Sequence, residues 1–158
     1  MVMRRHVVYV LGLVIALALA APAVAKGPAR ATLSGPGLES AIAVTGEGEG
    51  GTGSPLGALV DSGGYFAQVF GETPARTSRR PPAGTRGVRY TVVYVVPGPN
   101  NVTSRLVQYV YPWAKPAPLT YMPATQRLWE GRRTHGGWYR STAALTRLLV
   151  RLGLPARG

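Results

Sequence analysis

Val88 to Val96 reads VRYTVVYVV, which is the strongest strand pattern in the sequence. Successive side chains of a β-strand point to opposite faces, so the run divides into two sets. One set is Val88, Tyr90, Val92, Tyr94 and Val96, and the other is Arg89, Thr91, Val93 and Val95. Because β-branched and aromatic residues suit a pleated surface, the pattern predicts a strand with one wholly apolar face.

A second strand is predicted directly after the first. Pro97 to Asn101 (PGPNN) is dense in turn-forming residues, and Ser104 to Tyr111 (SRLVQYVY) then alternates again. Its two faces are Leu106, Gln108 and Val110 against Val107, Tyr109 and Tyr111. The two runs are therefore expected to pair as an antiparallel hairpin. Pro112 ends the second strand, because proline cannot continue a central ladder.

Shorter runs complete the predicted sheet. Ala29 to Ser34 and Ala41 to Val44 read as strands on either side of the Gly35-Pro36-Gly37 turn, so they are expected to form a hairpin. Leu119 to Met122 is a further candidate strand, which Pro123 ends.

Two helical segments are predicted between the hairpins. Ser54 followed by Pro55 is a good helix start, since serine caps the N-terminus and proline suits the first helical position. Gly63-Gly64 breaks this helix, and Tyr65 to Phe70 continues as a second turn or two. The apolar face of the first helix is Leu56, Leu59 and Val60.

The last predicted element is a helix that begins after Ser141 or Thr142 and stops at Gly153. Its leucines recur at spacings of three and four residues, at Leu145, Leu148, Leu149 and Leu152. Such a stripe is expected to pack on a sheet. The sequence therefore predicts a small α+β domain, with a mostly antiparallel sheet and a C-terminal amphipathic helix on one face.

Residues 72–87 (ETPARTSRRPPAGTRG) are predicted to form a flexible loop. The segment is rich in Pro, Gly and Arg, and it has no apolar periodicity. Loops of this length are often mobile, and Arg79-Arg80 within it is an expected point of proteolysis.

Residues 1–25 read as a cleavable signal peptide. Arg4 and Arg5 precede the uncharged run from Val7 to Ala20, and Ala23-x-Ala25 supplies the small residues that a signal peptidase requires. Cleavage would leave Lys26 as the first residue of a single exported domain over 26–158. The alternative is an uncleaved membrane anchor, although the apolar run is short for a span and Pro22 interrupts it.

Charge and composition narrow the choice of partners. The chain has a formal net charge of +12 and no cysteine, so disulfides, thiolate nucleophiles and Cys-based metal sites are excluded. From residue 73 onward, Glu130 is the only acid. Such a field favours polyanions: an anionic envelope polymer, lipid headgroups or an acidic protein. We expect no specific nucleic acid, and membrane contact only through an uncleaved signal segment.

The sequence contains no complete motif for a cofactor, a metal ion or a catalytic group. Gly46 to Gly51 (GEGEGG) fits the spacing of a dinucleotide-binding loop, but Glu47 and Glu49 would repel a pyrophosphate, and the chain is short for that fold. His135 is the only histidine after the predicted cleavage site, so the sequence lacks the usual His and Cys ligands of zinc and offers a hydrolase one candidate base. We therefore expect no cofactor and no metal, and a non-enzymatic role over an enzymatic one.

The densest group of basic and aromatic residues is the best candidate ligand site. Cationic groups attract phosphates, and aromatic faces stack on bases or sugar rings. The candidate residues are Arg127, Trp129, Arg132, Arg133, His135, Trp138, Tyr139 and, at the end of the cluster, Arg140. The competing interpretation is that the three aromatic residues close the core under the last helix while the arginines point to water.

The strand aromatics suggest a second possible platform, for sugars. This set is Tyr90, Tyr94, Tyr109, Tyr111 and Trp113. Cross-strand aromatic pairs within a sheet are the more ordinary use of such residues.

Four segments resemble a family of small secreted actinobacterial proteins with no assigned activity. They are GPGL from Gly35, RYTVVYVVPGP from Arg89, YPWAKPAPLTYMP from Tyr111 and GGWYRSTAALTRLLVRLGLP from Gly136. The resemblance covers most of the chain after residue 25. It implies export and a single domain, and it carries no ligand or catalytic residue.

These observations support three hypotheses. The leading one is an exported, non-enzymatic domain that binds an anionic partner or surface at the cell envelope. The alternatives are a small secreted hydrolase that uses His135 and a carbohydrate-binding module built on the strand aromatics.

Overall fold

The structure, a computed structural model, describes residues 27–50 and 53–156. The predicted signal peptide, with Ala23, Ala25 and the cleavage product's first residue Lys26, lies outside the described residues. Of the predicted Gly-rich loop, Gly51 also lies outside them.

Seven strands and three helices form the described part of the chain, and they confirm the α+β class. The strands are β1 (Arg30–Ser34), β2 (Ile42–Val44), β3 (Thr77–Ser78), β4 (Tyr90–Pro97), β5 (Thr103–Tyr111), β6 (Leu119–Met122) and β7 (Gly137–Arg140). The helices are α1 (Pro55–Gly63), α2 (Tyr65–Phe70) and α3 (Ala143–Leu152).

The strands make one antiparallel sheet in the order β2-β1-β4-β5-β6-β7-β3. The predicted central hairpin forms in register, with Val93 opposite Val107 and Tyr94 opposite Leu106. Neighbours in sequence are also neighbours in the sheet except at two places. β1 pairs with β4, and β3 crosses over to pair with the far edge of β7.

All three helices pack on one face of the sheet, which we call the helix face. The predicted apolar set of β4 lies there, together with Leu106, Val110 and the buried leucines of α1 and α3. The predicted caps also form: the Ser54 hydroxyl accepts a hydrogen bond from the amide of Gly57, and the Thr142 hydroxyl accepts one from the amide of Ala144. Gly153 ends α3 in the left-handed conformation.

Two strands depart from the sequence-based prediction. The segment 72–87, predicted to be a loop, contributes the two-residue edge strand β3, in which Thr77 pairs with Tyr139 and Ser78 with Trp138. Its partner β7, which begins at Gly137, is not among the strands predicted from the sequence. Neither strand has a readable period, because one is two residues long and the other begins at a glycine.

A hydrogen-bonded network of polar side chains crosses the core between α2 and the sheet. The Tyr94 hydroxyl donates to Gln108 Oε1 (2.9 Å), and Gln108 Nε2 donates to Gln68 Oε1 (2.5 Å) and to the carbonyl of Gly63 (2.9 Å). Gln68 Nε2 in turn donates to Thr120 Oγ1 and to the carbonyl of Gly137. Both glutamines are fully buried, and every one of their side-chain N–H groups has an acceptor.

One buried hydroxyl lies outside this network. The Tyr65 ring contacts the Tyr94 ring at a centroid distance of 4.9 Å, and its hydroxyl has no hydrogen-bond partner in the described part of the chain. Burial raises the pKa of both hydroxyls far above the usual range of tyrosine, and for Tyr94 the nearby Tyr65 adds a smaller contribution. Both side chains are therefore neutral.

The two tyrosines should respond differently to loss of the hydroxyl. Tyr94→Phe leaves Gln108 Oε1 without its donor, so we expect the free energy of unfolding to fall by about 1–2 kcal/mol. Tyr65→Phe removes a hydroxyl that has no partner, so stability should stay within about 0.5 kcal/mol or rise. Urea titration followed by tryptophan fluorescence measures both values. Equal losses would contradict the assigned hydrogen bonds.

Candidate functional site

The face of the sheet opposite the helices, which we call the open face, is basic. The strand register places Arg30, Arg105 and Arg140 on it, and all three are exposed. Two more arginines reach it from the segment before β4, Arg86 and Arg89. Within the described residues, no strand position on this face is occupied by Asp or Glu. The open face therefore carries charge of one sign.

Three aromatic rings lie side by side across β5, β6 and β7 on the open face. The Tyr109 and Tyr121 rings stack with centroids 6.3 Å apart and an interplanar angle of 8°. Tyr121 then contacts Trp138 at 4.8 Å. The register explains this row, since Tyr109 pairs with Tyr121 and Tyr121 with Trp138.

An arginine contacts each end of this aromatic row. The guanidinium of Arg89 lies 4.8 Å from the centre of the Tyr109 ring, and that of Arg86 lies 5.3 Å from the Trp138 ring. Cation–π contacts orient a guanidinium through its flat face and leave its N–H edges available to an anion. The row therefore holds two arginines in place on the open face.

The sequence-predicted ligand cluster is divided by the pairing of β7. Trp138 points to the open face and packs with Tyr111 and Leu119, so it does not lie under α3. Tyr139 points to the helix face, where its hydroxyl accepts a hydrogen bond from Arg76 (2.9 Å). These neighbouring aromatic residues therefore cannot share one ligand, because adjacent strand residues face opposite ways.

The other members of that cluster lie on a turn beyond β6. Trp129 is partly buried against the helix-face core, and the Arg132 guanidinium lies 5.2 Å from the centre of the Phe70 ring on the same side. The backbones of Arg127 and Arg133 form an isolated antiparallel bridge at the base of this turn. Leu128, the next residue after Arg127, is buried. Arg133 donates to the carbonyl of Thr125 (3.1 Å).

The predicted sugar platform is also divided. Tyr90 and Tyr94 are fully buried on the helix face, whereas Tyr109 and Tyr111 lie on the open face. Trp113 is partly buried beside Gly87, and its indole N–H has no hydrogen-bond partner in the described part of the chain. Tyr111 is buried among Leu119 and Trp138, so only Tyr109 of this set is partly exposed on the open face.

His135 lines a cleft of about 390 Å³ between β3 and the turn that precedes β7. Its imidazole is exposed, and no hydrogen bond joins it to a carboxylate in the described part of the chain. A base for hydrolysis is normally oriented by such a group. Across residues 27–50 and 53–156, no three His, Asp or Glu side chains are grouped so that they could hold a metal ion.

The Gly-rich segment packs against the start of the described chain. A Cβ atom on Gly48 would lie 1.8 Å from the carbonyl oxygen of Pro28, and one on Gly27 would lie 1.7 Å from the carbonyl oxygen of Gly48. These glycines are therefore needed for contact between two backbones. The same contact explains them without a bound pyrophosphate.

Comparison with known proteins gives no relative from which a site could be transferred: no family model, curated protein or solved structure matches the chain. Among the described residues, no helix has the length and apolar character needed to cross a bilayer. The site must therefore be argued from its own residues. Of the open-face residues, the sequence-predicted cluster included Arg140 and Trp138 but missed Tyr121 and the other arginines, which are Arg30, Arg86, Arg89 and Arg105. The alternation of β4 and β5 does place Arg89 and Tyr109 on one side.

Proposed function

We propose that the protein is an exported, non-enzymatic domain that binds an anionic polymer of the cell envelope through the open face of its sheet. The observation that supports it best is the concentration of exposed arginines on a face without acidic strand residues. Export rests on the predicted signal peptide, and the resemblance to secreted actinobacterial proteins agrees with it.

Arginine suits this role better than a diffuse positive charge does. Its planar guanidinium can donate two parallel hydrogen bonds to a carboxylate, phosphate or sulfate group. Arg86 and Arg89 are already oriented by the rings of Trp138 and Tyr109, so less side-chain entropy is lost when an anion binds. Arginines spread along the sheet match a ligand with repeated charges.

A neutral carbohydrate is a poorer match. A sugar ring needs an open aromatic face on which to stack. On the open face, the Tyr121 ring contacts two other rings, and the Tyr109 and Trp138 rings each contact a guanidinium. The aromatic row thus supports the arginines and leaves little ring surface for a sugar.

Removal of the two oriented arginines tests the proposal. We expect Arg86→Gln with Arg89→Gln to weaken binding of purified anionic wall polymer at least tenfold at low salt. The slope of log K against log salt should become shallower by about two, because two fewer cations displace counterions. Fluorescence anisotropy with labelled polymer measures both effects.

The matched control is Arg147→Gln with Arg151→Gln, which makes the same change of net charge at exposed positions of α3. Its affinity should stay within about twofold of the unchanged protein. Equal losses in the two double variants would mean that net charge alone drives binding, and would overturn the proposed site. Tighter binding to phosphatidylglycerol vesicles or to an acidic protein than to wall polymer would overturn the proposed partner.

A further inference from the structure

We infer that the His135 cleft is an anchoring subsite for one phosphate group of the polymer, a step that rests on the proposed function. The cleft lies between β3 and the turn before β7, at the end of the open face. Residues from both sides line it: Thr77, Ser78, Arg79, Tyr121, Thr125 and His135.

Several polar side chains line the cleft without forming a side-chain hydrogen bond to another described residue. The guanidinium of Arg79, the hydroxyls of Thr77, Tyr121 and Thr125, and the imidazole of His135 make no side-chain hydrogen bond in the described part of the chain. The buried glutamines, in contrast, have an acceptor for each of their side-chain N–H groups. A concentration of unused donors in one concavity is what a bound anion requires.

One wall of the cleft is strained. Thr125 has φ 64°, a left-handed conformation that is rare for a β-branched residue. It is held there by its amide, which donates to the carbonyl of Thr134 (3.0 Å), and by its own carbonyl, which accepts from Arg133 (3.1 Å). Such strain persists only where surrounding contacts enforce it, and it concentrates at binding sites.

The backbone at Gly136, which also lines the cleft, packs closely against the strained segment. Gly136 has φ 73°, and a Cβ atom there would lie 2.5 Å from the amide nitrogen of Ala124. Gly136 therefore lets the chain before β7 approach the strained segment closely. The amide of Gly136 donates to the carbonyl of Gln68 (2.7 Å), which ties this wall of the cleft to α2.

The donors favour a tetrahedral anion. A carboxylate is planar and is satisfied by one guanidinium, whereas a phosphate presents oxygens in several directions. Arg79 and His135 reach the cleft from opposite walls, and the Tyr121 hydroxyl adds a third donor. Tyr121 also belongs to the aromatic row, so a polymer that follows the open face would arrive at this cleft.

The test is an NMR titration of the ¹⁵N-labelled protein with inorganic phosphate. We expect saturable shifts confined to the amides around Thr77–Arg79, Thr125 and His135–Gly137. Arg79→Gln and His135→Gln should each weaken phosphate binding at least fivefold. Arg80→Gln is the matched control, because the adjacent arginine lies in the neighbouring groove with Pro81, Pro82 and Arg140 and should leave the affinity unchanged.

A second variant separates the binding role from folding. Thr125→Gly relieves the left-handed strain and removes a hydroxyl, so it should raise the melting temperature while weakening phosphate binding. Weaker phosphate binding combined with a lower melting temperature would contradict the inference, since the segment would then serve only the fold.

Phosphate shifts spread over all exposed arginines, or absent, would overturn the subsite. The proposed function has a separate outcome. If wall polymer still binds and the Arg86→Gln, Arg89→Gln double variant still binds it more weakly, the open face is supported as the polymer site and the cleft is not part of it. If phosphate binds saturably in the cleft but the polymer does not bind, the phosphate subsite is supported and the proposed partner is contradicted.

Discussion

Gln108→Leu should lower the free energy of unfolding by about 3–4 kcal/mol, the largest expected effect of a single substitution that nearly conserves volume. The leucine fills the space of the glutamine but makes no hydrogen bonds. The Tyr94 hydroxyl and Gln68 Oε1 then remain buried without their partner. Each unpaired buried group costs about 1–3 kcal/mol. A urea titration followed by tryptophan fluorescence reports the change.

A double variant checks that the loss comes from unpaired groups. In Tyr94→Phe with Gln108→Leu, the hydroxyl that Gln108→Leu leaves unpaired is also removed. The double variant should therefore be about 1–2 kcal/mol more stable than the sum of the single losses predicts. Strict additivity would show that the network does not couple these two residues.

Gly64→Ala should cost about 3 kcal/mol, for two separable reasons. Gly64 ends α1 and precedes α2 with φ 69°, which costs a residue with a Cβ atom about 1–2 kcal/mol. The added Cβ would also lie 2.3 Å from Cγ of Tyr139, so the ring and β7 would have to move, at about 1–3 kcal/mol. Thermal unfolding monitored by circular dichroism gives the size of the loss.

Gly131→Ala isolates the conformational part of this cost. Gly131 has φ 72°, and nothing lies within 4 Å of a Cβ built on it. The variant should lose only about 1–2 kcal/mol. If both glycine variants lose the same amount, the contact between Gly64 and Tyr139 has no energetic weight.

Local patterns are sufficient to predict much of the fold. The alternation of β4 and β5 and the turn between them specify the central hairpin, because a shift of one residue would expose Tyr90, Val92 and Tyr94. Ser54, Gly64, Thr142 and Gly153 mark helix ends by chemistry that acts within a few residues. These features were read correctly because each depends on neighbours along the chain.

The candidate site depends on contacts that no local pattern contains. β3 and β7 are short and lie about 60 residues apart in sequence, so only their pairing places Arg79 beside His135. The prediction of one basic and aromatic cluster over 127–140 treated proximity in sequence as proximity in space. The strand β7 instead sends Trp138 and Tyr139 to opposite faces.

The hydrogen-bonded network in the core also depends on contacts that a local sequence pattern does not contain. Gln108 was placed correctly among the apolar residues of its strand, but its partners come from α2 and β4. A single glutamine in an apolar strand signals a buried polar contact without naming the partner.

One side chain of the turn before β7 has a consequence for how copies of this protein meet. β6 pairs with β5 only from Tyr109 onward, which leaves the first half of β5 without a strand on that side. Gln126 fills the place: its side-chain amide accepts from the amide of Val107 (2.8 Å) and donates to its carbonyl (2.9 Å), as a neighbouring strand would. Unpaired strand edges are templates for chain-to-chain addition. The side-chain amide of Gln126 thus occupies the backbone groups of Val107, so this edge of β5 does not offer them to a strand of a second copy.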